Sequence, residues 1–223
     1  MKKKLLIIYF FVNIITVFSM NTEKIEYFII GNGNPKIVIT AGIHGNEISG
    51  IIKVKELKKY TPKNGSILLI PEANKEAIQN NTRTEYYMDD LNRVFFKKGD
   101  NRAHKKAREI VKIIKNYNPI LILDLHESPH NYDENKDPNL YMGNTVIFNE
   151  NMPSDFHILT LDIVNLGFTP IVSSMDGTFN KEISDNLHIP VLTIELSKDE
   201  SLSERSDKLD LILNSVYDYL EIK

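Results

Sequence analysis

The sequence predicts an α/β domain in which a largely parallel sheet is sandwiched between helices. Three observations predict it. Short β-branched or leucine-rich runs alternate with amphipathic stretches. One run, residues 120–125, is apolar throughout, as in strands buried on both faces. No internal repeat or low-complexity linker interrupts the chain after residue 20. Composition agrees, because 42% hydrophobic and 26% charged residues are ordinary for a globular chain, and 223 residues suit one domain with a sizeable core. The lack of Cys excludes a disulfide scaffold, thiolate-bound zinc and a Cys nucleophile. With 27 Lys+Arg against 30 Asp+Glu, a net charge of −3, there is no basic excess to suggest nucleic acid as a partner.

Taken in order, residues 1–19 place Lys2, Lys3 and Lys4 ahead of an apolar run over residues 5–18, with Val17 and Ser19 before Met20. This pattern predicts a secretory signal peptide, or an uncleaved N-terminal anchor, followed by one domain over residues 20–223. The expected location is therefore exported: periplasmic, cell-surface or extracellular, with membrane contact only if the segment stays uncleaved. A single stretch of this length excludes a polytopic membrane protein.

Residues 24–30 and 36–40 read as two strands joined by a hairpin turn at Gly31-Asn32-Gly33-Asn34-Pro35. The GxG there leads into a strand and not a helix, so it is no dinucleotide fingerprint. Residues 47–59 read as a helix with Ile48, Ile51, Ile52 and residues 54–57 facing the core. Residues 66–71 read as a buried strand. Residues 72–100 are polar, Asn-rich and irregular, a loop length that usually serves function. A helix is expected from about Arg102 to Asn116, a strand over 120–125, another over 140–148, a helix over 157–166 and a buried strand over 191–196. An amphipathic helix follows, marked by Leu209, Ile212, Leu213, Val216, Tyr217 and Leu220.

Ligands in such folds sit beyond the carboxyl ends of the strands, and three of those ends carry metal-ligand chemistry. After Thr40 comes Ala41-Gly42-Ile43-His44-Gly45-Asn46-Glu47. The strand at 120–125 runs into Asp124-Leu125-His126-Glu127-Ser128, and the strand at 191–196 contains Glu195, an acid in an apolar run. His44 and Glu47, three apart at a helix start, lie over one turn and can converge on one point. A second imidazole from His126 would complete three protein ligands, the number a catalytic zinc keeps while leaving one position open. Spacing alone is weak, since 6 His and 16 Glu in this chain supply about 0.4 HxxE pairs by chance. The plain alternative is that Glu47 favours the helix N-terminus by its charge and His44 is a loop residue.

Five motifs occur in one order: AGIHGNE at 41–47, PEAN at 71–74, DLNRVF at 90–95, DLH at 124–126 and TIEL at 193–196. Together they resemble the zinc carboxypeptidase superfamily, in its succinylglutamate desuccinylase/aspartoacylase branch. The resemblance spans residues 37–196 and implies a three-layer α/β/α sandwich with a mixed, largely parallel sheet of seven or eight strands. It implies one zinc ion per chain on His44, Glu47 and His126, and Glu195 as the general base that takes a proton from water and returns it to the leaving amine. A carboxylate in an apolar strand, its pKa pushed toward neutrality, suits both steps; an ion pair with Arg205 or a Lys is the structural alternative. Arg83 resembles the family's carbonyl-polarising arginine, a solvent-exposed loop residue being the alternative. Asn92 and Arg93 resemble the pair that holds a substrate's free carboxylate, a bidentate task that Arg performs and Lys does not. Asp124, two residues before His126 and so on the same strand face, either orients that imidazole or caps a neighbouring loop.

Departures from the family pattern are also visible. Only 28 residues follow Glu195, so the branch's usual β-rich C-terminal domain and its substrate-gripping tyrosine are expected to be missing, and Ser197 stands where Gly is usual. Residues 173–179 fall where carboxypeptidases carry a mobile substrate loop; Asp176 and Thr178 are its candidates, a plain turn the simpler account. His130, Tyr132 and Tyr141 are expected near the pocket, whereas His104, His157 and His188 are assigned surface or structural places. The expected activity is zinc-dependent hydrolysis of an amide bond beside a free carboxylate, on a peptide or an N-acyl amino acid, with peptides favoured for an exported protein. The rival is a non-catalytic zinc-containing binding module of the same fold.

Overall fold

The computed structural model describes residues 24–222, and the expected leader at residues 1–19 lies outside them. The described strands form one sheet: β1 (Phe28–Gly31), β2 (Lys36–Ala41), β3 (Ser66–Ile70), β4 (Leu121–Ser128), β5 (Thr145–Phe148), β6 (Thr169–Val172) and β7 (Val191–Ser197). Their spatial order is β1-β3-β2-β4-β7-β5-β6. The helices are α1 (Ile48–Glu56), α2 (Lys75–Gln79), α3 (Arg102–Tyr117), α4 (Ser154–Asn165), α5 (Phe179–Leu187) and α6 (Leu202–Tyr219). Pairing is antiparallel only for β1 with β3 and for β5 with β7; elsewhere it is parallel. The predicted mixed, largely parallel sheet is the one observed. No helix among the described residues is long and apolar enough to cross a membrane.

Strand alternation sorts the side chains into two cores. Ile37, Ile39, Leu123, Leu125, Leu192, Ile194 and Val146 pack on one face against Ile51 and Val54 of α1, Leu159 and Ile163 of α4, and Leu209, Ile212 and Val216 of α6. Val38, Leu68, Ile70, Ile122 and Val191 pack on the other against α3 (Ala107, Ile110, Ile114) and α5 (Phe179, Ile183). Toward the carboxyl ends of β2, β4 and β7 this second face turns polar. Thr40, Asp124 and Thr193 stand opposite one another there, as do His126 and Glu195. The helix ends are set by sequence. Asn101 caps α3 and Thr178 caps α5, Ser201 and Glu204 form a capping box on α6, and Asn118 ends α3 in the left-handed conformation just before Pro119.

The structure corrects several expectations. β1 and β2 form no hairpin: β3 lies between them, antiparallel to β1 and parallel to β2. A parallel neighbour needs a crossover, and α1 supplies it. On α1, Ile51 and Val54 are buried but Ile48 and Ile52 face solvent. Residues 140–144 are loop, leaving β5 only four residues long. The irregular stretch 72–100 contains the short α2 and a 3₁₀ turn at Leu91–Arg93, and neither β6 nor α5 was foreseen.

Candidate metal centre and active-site cleft

The loop leaving β2 is held tightly. Gly42 has φ +74°, and a Cβ on Gly45 would collide with the Ala77 carbonyl carbon, so only glycine lets α2 approach here. Ala73 and Asn74 donate backbone N–H groups to the carbonyls of Ala41 and Gly42 at 3.1 and 2.8 Å. Asn74 in turn accepts from buried Lys106, which also reaches Glu85 and Glu76. The PEAN motif therefore clamps the turn that presents His44. Glu47 is the N-cap residue of α1, so its charge sits at the helix N-terminus as expected, yet its carboxylate makes no capping hydrogen bond to the helix. Glu127 takes that task, accepting from the N–H groups of Ile48 and Ser49 at 3.2 and 2.7 Å.

The Glu47 carboxylate instead faces two imidazoles. His44 Nδ1 lies 2.7 Å from Glu47 Oε1, His126 Nδ1 lies 2.8 Å from Glu47 Oε2, and the two Nδ1 atoms are 3.2 Å apart. Each outer nitrogen meets another carboxylate: His44 Nε2 is 3.1 Å from Asp90 Oδ1, and His126 Nε2 is 2.9 Å from Asp124 Oδ2. Asp124 thus orients the imidazole, the first of its two predicted roles. Asp90, held in turn by the Asn92 N–H at 2.8 Å, does the same for His44. That partner was not assigned from sequence, although its place at the head of DLNR was a signal.

The electrostatics are those of a cation site. Burial pushes the His44 imidazole down, but Glu47 and Asp90 outweigh it and hold it above its usual value. Burial likewise opposes charge on His126, and Asp124 and Glu47 raise it well above the usual value. Glu47, which burial would push up, is held far below the carboxylate range by the two imidazoles. Three carboxylates around two buried imidazoles call for positive charge between them.

The donor set also fits zinc by size. The ligand atoms of His44, Glu47 and His126 all lie within 4.8 Å of one another. Two nitrogens on a tetrahedral zinc at about 2.05 Å would be about 3.3 Å apart, against the 3.2 Å found. Their outer nitrogens are already engaged by carboxylates, the arrangement that fixes a ligand imidazole.

These residues open onto a cleft of about 280 Å³, lined also by Arg83, Asn92, Arg93 and Glu195. Glu195 stands opposite His126 in the β4–β7 register. Burial pushes its carboxyl up to about 7 against the pull of the His126 imidazole, with Glu47 adding to the rise. Arg205 does not pair with it; Arg205 Nη1 sits 2.6 Å from Glu127. Arg83, 44% exposed on its loop, bonds Asp90 through Nε and Nη2 at 3.2 and 3.1 Å and approaches Glu47 at 3.6 Å, so it borders the centre while remaining open to solvent. Asn92 Oδ1 accepts from the Phe179 N–H at 2.7 Å, which leaves its Nδ2 for a ligand, and Arg93 lies beside it.

Sequence reasoning misplaced some pocket residues and missed others. His130, Tyr132 and Tyr141 do not line the cleft, and His130 bonds Asp199 at 3.0 Å. Of residues 173–178, Ser173, Ser174, Met175 and Thr178 form the rim, whereas Asp176 does not line it. Asn180 was missed. Its Nδ2 donates to the carbonyls of Ile147 and Val191 and to Thr193 Oγ1, fastening α5 to the cleft floor.

Glu127 and Arg205 make a prediction of their own. Glu127 is almost wholly buried and its carboxylate holds the first residues of α1, Ile48 and Ser49, just after Glu47, while the Glu127 N–H donates to Glu47 Oε2 at 3.1 Å. Glu127→Ala leaves Arg205 and two helix N–H groups without their acceptor, and is expected to lower unfolding stability by about 3–5 kcal/mol. Urea denaturation followed by circular dichroism measures it; a loss below about 1 kcal/mol would show the clamp to be dispensable.

Comparison with known proteins gives a consistent answer. Residues 33–219 match the family described as Succinylglutamate desuccinylase/Aspartoacylase catalytic domain. No curated protein matches the chain. Among solved structures, the tripeptide-bound cell shape determinant Csd4 of Helicobacter pylori superposes with a TM-score of 0.76 at 18% identity, over 89% of this chain and 56% of its own. The mDAP-bound form of Csd4, described as a D,L-carboxypeptidase, gives 0.74 at 19% identity over 88% and 55%. A succinylglutamate desuccinylase/aspartoacylase from Rhodobacter sphaeroides gives 0.68 at 20% identity over 88% and 58%. At these identities they share the fold, and the chain spans little more than half their length.

Proposed function

The chain belongs to the succinylglutamate desuccinylase/aspartoacylase catalytic-domain family, and from that membership we propose that it is a zinc-dependent hydrolase of an amide bond adjacent to a free carboxylate. The observation that carries this reading is the meeting of His44, Glu47 and His126 around one point, with Glu195 in the same cleft.

Zinc held by these three residues would lower the pKa of a water molecule and polarise a carbonyl group. The chain's own residues account for the rest. Glu195, raised toward neutrality by burial, accepts a proton from the attacking water at its carboxylate and hands it to the departing amine nitrogen. Arg83, pinned by Asp90, offers its guanidinium to the carbonyl oxygen as negative charge develops. Arg93 and the Asn92 amide hold the free carboxylate and so set which amide bond is reached. Asp90 and Asp124 keep the two imidazoles turned inward.

The dependence on a free carboxylate is the sharpest test. Zinc-loaded protein is expected to hydrolyse peptides or N-acyl amino acids with a free C-terminal carboxylate, and to lose about 10- to 100-fold in kcat/KM when that carboxylate is amidated, the worth of a charge-assisted hydrogen bond. Chromatographic analysis of products measures this. Equal cleavage of acid and amide would remove Arg93 and Asn92 from substrate binding.

A further inference from the structure

One wall of the cleft carries apolar side chains that, among the described residues, belong to neither hydrophobic core. Thr193 pairs in register with Ile147, and Ile147 with Ile171, so all three point to the side of the sheet that carries Glu195. Ile147 and Ile171 are half-buried, belong to neither core and line the cleft. Met175, 45% exposed, continues the same wall at the rim, and Val172 contributes to the lining at the end of β6. Ile147, Ile171 and Met175, with Met142 and Pro138 also on the lining, give the cleft an apolar surface suited to an apolar group of a ligand.

The charges in the cleft limit what that ligand can be. The ionisable residues lining it are His44, Glu47, Arg83, Arg93, Glu127 and Glu195. His44 and Glu47 face each other, Arg83 is paired with Asp90, and Glu127 is paired with Arg205. Arg93 is the one cation lining the cleft that has no acidic partner among the described residues, its Nη1 donating only to the Asn92 carbonyl at 2.7 Å. One uncommitted cation matches one carboxylate. A second carboxylate placed on the isoleucine wall would lose water and find no cation, and an ammonium there would find no free acid except Glu195, which the chemistry needs.

We infer that the substrate carries a single carboxylate at its reactive end, held by Arg93 and Asn92, and beside it an uncharged apolar side chain packed on Ile147 and Ile171. The substrate class is thus a peptide or acyl-amino acid ending in a leucine- or methionine-like residue, as distinct from an acidic or basic one. This specificity rests on the hydrolase reading above, and two arms separate them. In the first, zinc-loaded protein is given N-acyl dipeptides identical except for a last residue of Ala, Leu, Met, Glu or Lys, in both configurations. In the second, the free N-acetyl amino acids of the same series are titrated calorimetrically into the Glu195→Gln protein, which needs no turnover.

The expected result is a kcat/KM at least about tenfold higher for Leu and Met than for Glu and Lys, with the same order in affinity. Ile171→Arg, which adds a cation to a half-exposed position of β6, is expected to reverse the preference between Leu and Glu. Equal or better cleavage of the Glu-ended substrate by the parent protein overturns the specificity and leaves the hydrolase reading standing. If nothing in the series is cleaved, the hydrolase reading fails and the affinity order alone decides the specificity. No binding by any compound overturns both.

Discussion

Glu195→Gln is expected to lower kcat by about 10²- to 10⁴-fold while zinc content stays at one ion per chain. The amide is nearly the same size as the carboxylate, and Glu195 belongs to no ion pair among the described residues, so the fold has little reason to respond. What disappears is the one uncommitted base among the described residues that line the cleft. In the parent protein the acidic limb of kcat/KM follows this carboxyl: only the ionised form accepts a proton, so activity falls as pH drops through its pKa. That pKa is pushed up to about 7 by burial, and a bound cation lowers it, placing the limb at or below neutrality. Steady-state rates with metal analysis on the same samples give the comparison. A variant rate within tenfold of the parent would take Glu195 out of the proton path, and a parent without turnover on any amide would favour a binding module.

His126→Ala is expected to cost still more, reducing hydrolysis to background at micromolar zinc. It removes one of three ligands and leaves Glu47 facing a single imidazole, while Asp124 loses the only partner it is given. Binding to the folded state also stabilises it. At a zinc concentration a hundredfold above Kd the parent should gain about 2.7 kcal/mol, or roughly 5–10 °C in Tm, and His126→Ala should gain almost nothing. Asp124→Asn keeps the ligand but loosens its orientation, with an expected 10- to 100-fold loss of zinc affinity. Calorimetric titration and thermal melts with and without a chelator read all three. A parent protein whose melting ignores zinc would contradict the metal centre directly.

How much of this was legible in the sequence differs from feature to feature. The pairing of His44 with Glu47 was legible because three residues at a helix start share a turn. Asp124 beside His126 was legible because alternate residues share a strand face. The hairpin failed because its local signals were sound, two strands and a glycine-rich link, yet β3 competes for the edge of β2 and wins through the α1 crossover. β6 escaped notice because Thr169-Pro170-Ile171-Val172 is four residues long and contains a proline, a pattern that counts against a strand until β5 is there to pair with it.

By itself the sequence determined the alternation of strands and helices, the two-residue and three-residue spacings of the ligands, and an acid in an apolar run. These depend on neighbours along the chain, where backbone geometry is periodic. The tertiary structure alone decided that His126 stands opposite Glu195, that Arg205 closes on Glu127, that Asp90 reaches back 46 residues to His44, and that Ile147 and Ile171 form an open apolar wall. Each depends on strand order and register between segments far apart in sequence, and those are chosen by the burial of whole sheet faces and the pairing of buried charges, which no local pattern records.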